Sequence, residues 1–388
     1  MEHFVTSSFG VFLSSLFVQH FTAPSWQNFV TLASGGSMAC TRHTIANYLW
    51  LCGAVSHKHF SRYYFLLSGP VKKVEKQLWS AVIVAAEKLI PQDQPLHIKV
   101  DDMVKKKSGK KITAASRYRN SAGTARQEYR VLFGINFVYA ILLVPVQLLS
   151  THWLAIPIGL KVYLKKPCAS ALGQNYHSRS ALARKMVDLV ANLLPHRQIQ
   201  VVGDGGYATK EFLRDLPDSV KVVLRFPISS KLYALPKPPP KGRRGRKPKK
   251  GELIGSPKSL INQPIDWINH PTEKRTLVAD FTGLWHTVLP GVVIRIVIVY
   301  RKAYQPRLRF TQKRVLEAFF TTDLTLSRDE ILAEYPKRWA IEISIRDAFA
   351  DYGLGQDMCR NYQRIVGINV FRLLMAATRT LWFVEQVN

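Results

Sequence analysis

Apolar positions recur along this chain with two periods, and the switches between them outline a mixed α/β protein. Residues 96–102 alternate apolar and polar, which predicts a strand. Longer apolar runs over 131–143 and 154–164 predict two buried strands joined by a turn, with Pro145, His152 and Pro157 breaking the window as no membrane helix would be broken. Residues 178–194 carry a helical period. Shorter strand runs follow at 198–203, 219–226, 275–284, 288–300 and 315–320, with Gly291 interrupting the fourth. Residues 1–90 and 367–385 are helical in pattern, and the first of these is rich in aromatics.

One helical stretch combines charge with apolar shoulders. Ser327 and Glu330 have the spacing of a capping box, Pro336 interrupts the helix, and a second run continues to Asp351 before Gly353 and Gly355 stop it. At 3.6 residues per turn, Tyr335, Arg338, Glu342, Arg346 and Phe349 fall on one stripe, flanked by Ile341, Ile345 and Ala348 on one side and by Trp339 and Ile343 on the other. Two readings are open. An Arg–Glu–Arg ladder on a solvated face needs no function; a carboxylate between apolar shoulders suits a site.

Charge narrows the partner. The 388 residues hold 55 Lys and Arg against 26 Asp and Glu, a net +29, which points to a polyanion and most directly to nucleic acid, double-stranded DNA being what the resemblance given below implies. The basic residues lie in several separate regions, unlike a membrane-binding amphipathic helix. The four cysteines show neither CxxC nor Cys/His ligand spacing, so free thiols in a reducing cytoplasm are expected. Residues 4–18 are apolar but follow Glu2 and His3, not the basic start of a signal peptide.

Two basic segments stand out. Nine basic residues and one acid occupy Lys105 to Arg130, predicting an exposed loop. From Lys237 to Lys250 there are eight basic residues and no acid among prolines and glycines, including Arg243, Arg244, Arg246, Lys247, Lys249 and Lys250. Regular structure is excluded there, and the Arg-Gly-Arg-Lys-Pro core resembles an AT-hook, which lies in the minor groove of A·T-rich DNA; a charged linker is the plainer reading. The pattern around Arg42–Trp50 and His57–Tyr64 has the outline of a helix-turn-helix, or of an ordinary helical subdomain with a basic edge.

Three carboxylates remain to be placed. Asp102 continues the parity of Leu96, Ile98 and Val100 and is expected to face the buried side, while Asp101 joins His97 and Lys99 and is expected to point away. Asp204 ends a strand and precedes a helical pattern, so it sits where α/β sheets usually place their sites. Glu342 lies on the helix described above. Strand, strand and helix is the order in which a ribonuclease-H-like fold gathers three acids, and hard oxygen ligands suit Mg²⁺.

With Val100-Asp-Asp102, Val202-Gly-Asp204-Gly-Gly-Tyr207, Thr321-Thr-Asp-Leu, the basic arm and Tyr335-x2-Arg338-x3-Glu342, the chain resembles the DDE transposases of bacterial insertion sequences, in the group with a β-strand insertion and a Y-R-E-K signature. The resemblance implies an N-terminal helical DNA-binding region (1–90), a ribonuclease-H-like core in two parts (91–226 and 313–388) and an inserted β-rich subdomain (227–312). It implies Asp102, Asp204 and Glu342 as a catalytic triad holding two Mg²⁺ ions, with Mn²⁺ able to substitute. Tyr335 and Arg338 would support the transposon end or the triad. A homodimer would form in the synaptic complex, in the bacterial cytoplasm, without a membrane. The implied activity is cleavage at the element's ends and strand transfer into target DNA; an inactive DNA-binding repressor of the element and a structure-specific nuclease are the alternatives.

Two positions depart from the family's pattern. Met103 stands where threonine is common, and Phe349 stands where the signature lysine would hold a transposon-end phosphate. Arg346, one turn nearer Glu342, is the expected substitute cation. Relatives with the insertion can form a hairpin at the element's end, for which Trp285 could stack on an extruded base, or Trp285 could be plain core.

Overall fold

A computed structural model describes residues 2–119, 131–146, 153–237, 248–301 and 316–387. The N-terminal region is helical, with α1 (Glu2–Thr6), α2 (Ser8–Phe17), α3 (Ala23–Met38), α4 (Ile45–Leu51), α5 (Ser61–Ser68), α6 (Pro70–Lys73) and α7 (Glu75–Glu87). Strands β1 (Leu96–Lys106), β2 (Ser116–Arg119), β3 (Val131–Pro145) and β4 (Trp153–Tyr163) follow, then α8 (Lys166–Ala171) and α9 (Arg179–Leu193). Next come β5 (Ile199–Gly203), α10 (Lys210–Leu213), β6 (Val220–Arg225), β7 (Leu232–Tyr233), β8 (Leu253–Gly255), α11 (Pro257–Leu260) and β9 (Ile268–Asn269). The chain ends with β10 (Thr276–Leu284), β11 (Val293–Arg301), β12 (Leu316–Thr321), α12 (Arg328–Glu334), α13 (Trp339–Asp351) and α14 (Tyr362–Val387). It divides into two units, residues 1–197 with 339–388, and residues 198–338.

In the first unit β3 is the middle of an antiparallel sheet, pairing with β1, β2 and β4. Its run from Gly134 to Val144 is buried, as its unbroken apolar pattern requires of a strand covered on both faces. Helix α14 packs along β4 and against α5 and α7. It crosses α5 so closely that a Cβ on Gly367 would lie 1.7 Å from the Leu67 carbonyl oxygen, so glycine is required there. Among the described residues α14 is also long and apolar enough to cross a bilayer, but 78% of its most apolar window is buried inside the protein, as in a core helix.

The second unit builds a mixed sheet. β5 and β6 are parallel, and β6, β12, β11 and β10 then pair antiparallel, with β7 and β9 on β10 and β8 on β7. Val202, Val223, Val278, Val297, Val299, Phe319 and Ile331 form its core. Trp285 belongs to an aromatic cluster with Phe226 and Phe320, at ring separations of 4.8 and 5.5 Å, and is buried rather than presented for stacking. The strand expected from residue 288 starts instead at Val293, because the chain turns through Gly291 at φ +83°.

The interrupted helix forms as its residues dictate. Ser327 Oγ accepts from the Glu330 amide and Glu330 Oε2 accepts from the Ser327 amide, a reciprocal cap worth about 1 kcal/mol. Pro336 has no amide to donate, and Tyr335–Arg338 tightens into a 3₁₀ turn before α13 begins. Gly353 and Gly355, at φ +66° and +70°, take the left-handed conformations that end it.

Candidate active site

β1 presents its two acids to opposite sides. Residues directly opposite in an antiparallel pair share a face, and the register sets Asp102 against Val138 and Asp101 against Tyr139. On the Asp102 side, Asn136 Nδ2 donates to Oδ2 at 2.7 Å, and Arg179 Nη1, from the first residue of α9, donates to both carboxylate oxygens at 2.8 and 3.0 Å. Asp102 is thus already neutralised by a guanidinium and oriented by an amide.

The Asp101 side is the one that α13 covers. Tyr139 and Ser344 are joined by a 2.7 Å hydrogen bond between their hydroxyls, in a place where burial pushes the phenol's pKa up. Four residues beyond Asp101, on the same face, Lys105 sets its Nζ 4.2 Å above the ring of Phe349. Lys107, next on that face, donates to the Gly355 and Asp357 carbonyls at 2.9 and 2.6 Å and pairs with the Asp357 carboxylate at 3.1 Å. Strand and helix therefore run in the same sense, with Asp101 beside the turn of α13 that holds Glu342 and Ser344.

These contacts place α13 over the Asp101 face of β1, the face that was expected to point away from the buried side of the sheet. Apolar parity misled because the sheet is covered on both sides: His97 and Lys99, polar in sequence, are buried along with Ile98 and Val100. Glu342 is half-buried in the first turn of α13. Arg346 leans outward, its side chain 73% exposed and its Nε 3.4 Å from Asp347 Oδ1.

In the second unit Asp204 follows β5 and opens a 3₁₀ turn at Gly205–Tyr207. The helix expected after it is a single turn, Lys210–Leu213, capped by Thr209. The Asp204 side chain is 51% exposed, and Arg225 Nη1 lies 3.7 Å from its Oδ1. Arg225 also pairs with Glu317, which in turn receives Arg301 at 2.6 Å, and its guanidinium lies 5.7 Å from the Tyr335 ring centre. Tyr335 packs on Phe319 with ring centres 4.4 Å apart; burial pushes its phenol up, with Arg225 and Arg338 opposing.

Sequence reasoning passed over Arg225, Asn136, Arg179 and Lys105. Arg225 had a usable signal: β5 and β6 are parallel with Gly203 opposite Leu224, so the next residues, Asp204 and Arg225, are neighbours. The other three depend on register and helix placement. Of the basic arm, Arg243, Arg244, Arg246 and Lys247 lie outside the described residues. Lys249 and Lys250 are exposed, and Lys250 Nζ lies 3.8 Å above the Tyr233 ring. Among the described residues no three His, Cys, Asp or Glu side chains are gathered as a metal cage.

A comparison with protein families matches residues 17–280 to the DDE superfamily endonucleases. A comparison with curated proteins finds no match.

Proposed function

This chain belongs to the DDE superfamily endonucleases, and from that premise we propose that it is a transposase that cuts DNA at the ends of its own element and joins the freed 3′ ends to a target. The observation that carries the reading is the shared face of β1 and α13, which supports Asp101 and Glu342 as two acids of one centre. Asp204 is taken as the third acid from the resemblance of its Val-Gly-Asp-Gly-Gly-Tyr motif.

Members of the superfamily normally use divalent metal ions. Hard carboxylate oxygens on partly exposed side chains fit Mg²⁺, and Asp102 is set apart by its place on the face of β1 opposite the one that α13 covers. When bound, the metal would supply Lewis acidity and an activated oxygen nucleophile. Asp101 and Glu342 would hold it, with Asp204 counted as a further ligand on the resemblance of its motif alone. Asp102 we read as a positioning residue, tying β1 to β3 and α9 so that its neighbour Asp101 keeps its aim. Tyr335 and Arg338, in the turn before α13, would meet the transposon end, and the N-terminal helices and basic arm would supply sequence-independent affinity through phosphates.

The test is incubation of the full chain with DNA from either side of its coding region, with Mg²⁺ or Mn²⁺ and a supercoiled target. Cleavage at the element boundary and joining to the target are expected. Binding without cleavage under any divalent ion would leave a repressor, and cleavage that follows DNA structure instead of the boundary would leave a nuclease.

A further inference from the structure

Among the described residues Lys105 has an aromatic neighbour and no acidic one. Its ammonium sits over Phe349, and among the described residues no carboxylate lies within ion-pair distance of it. The other cations of this face are already engaged: Lys107 is held by Asp357 and two carbonyls, and Lys99 is fully buried. A cation–π contact at a partly exposed site is weak, so it does little to offset the desolvation of an ammonium. Burial, with Lys107 adding repulsion, pulls the Lys105 pKa down, as expected of a charge that lacks its counterion.

Position gives that missing counterion an identity. Lys105 is on the Asp101 face of β1, about 13 Å further along the strand. Phe349 is on α13, two turns beyond Glu342 and on nearly the same side of the helix. Across the face between strand and helix, the two acids thus stand at one end and the Lys105 ammonium at the other. A DNA strand with its reacting phosphodiester at the acids would pass other phosphates nearby. We propose that Lys105 is the phosphate-binding cation of this centre, holding a backbone phosphate beside the scissile bond at the point of α13 where Phe349 brings no charge. Arg346, exposed and leaning toward Asp347, is the weaker candidate for that role. That the neighbouring bond is the one cut rests on the transposase reading; that Lys105 meets a phosphate does not.

The experiment compares the full-length wild type with Lys105→Met, Lys105→Arg and the double variant Lys105→Met with Phe349→Lys. Methionine keeps an unbranched stem on the Phe349 ring, and matched thermal midpoints show that the fold is intact. Binding to a duplex from the element boundary is followed over a salt series, with cleavage in Mg²⁺ alongside. For Lys105→Met we expect roughly tenfold weaker binding at low salt and a slope of log K against log salt smaller by about one. Cleavage should fall with it. Lys105→Arg should keep the wild-type slope, and Phe349→Lys should restore it in the Lys105→Met background. An unchanged slope in a folded Lys105→Met protein, or no recovery in the double variant, would overturn the proposal. If the wild type never cleaves, the transposase reading fails by itself, and the slopes still decide whether Lys105 meets a phosphate.

Discussion

The hydroxyls of Tyr139 and Ser344 lie 2.7 Å apart, and this one hydrogen bond shows which face of β1 looks toward the Glu342 helix. Tyr139 stands opposite Asp101 in the β1–β3 ladder, and Ser344 lies two residues after Glu342. Fixing one pair fixes the other.

Tyr139→Phe should therefore destabilise the chain by about 1 kcal/mol, the net contribution of a buried hydrogen bond whose partner can still turn to another acceptor. Denaturant unfolding measures that. The functional loss should be larger than the stability loss, because α13 is freed to shift relative to Asp101 and small misplacements are costly in a catalytic centre. Cleavage that falls no further than the folded fraction would show that the hydrogen bond only stabilises.

Arg225 serves two acids, Asp204 at 3.7 Å and Glu317 in a closer pair. Arg225→Ala leaves Glu317 paired with Arg301 in a mostly buried setting, and should cost about 1–3 kcal/mol. Arg225→Lys, which cannot reach both acids with a planar fork, should keep most of the stability yet impair cleavage. Thermal unfolding with cleavage assays on both variants separates the two roles; full activity of Arg225→Lys would mean that Asp204 needs no help from it.

Removing residues 237–250 should weaken binding to DNA of any sequence and lower the salt slope by roughly one for each phosphate that the arm had neutralised. The dependence of cleavage on metal concentration should not move. A slope equal to that of the intact chain would reduce the arm to a linker.

The sequence was most informative where local rules act alone. Ser327, Glu330, Pro336, Gly353 and Gly355 each state their conformational preference in one residue, and the structure follows all five. The long apolar runs likewise become β3 and β4. What could not be read was the side on which a helix would dock. Asp101 and Asp102 differ by one step of strand parity, and parity identifies a site only when one face is buried; here both are. Lys105 was hidden for the same reason, since its nearness to Phe349 arises between residues far apart in the chain. The helix after Asp204 was overestimated because Phe212 and Leu213 supply helical spacing for a segment that Arg214 and the left-handed Asp215 end after one turn.

The central claim is that Asp101, not Asp102, works with Glu342. The direct measurement is metal-dependent cleavage of the element boundary by Asp101→Asn, Asp102→Asn and Glu342→Gln, with the rise in melting temperature on adding Mn²⁺ recorded for each. Asp101→Asn and Glu342→Gln should both lose cleavage and the Mn²⁺-induced rise while still binding DNA, since phosphate contacts dominate affinity. Asp102→Asn should lower the melting temperature through its weakened pairing with Arg179 and keep measurable cleavage. Cleavage retained by Asp101→Asn and abolished in a folded Asp102→Asn protein would contradict the claim and give the metal to Asp102.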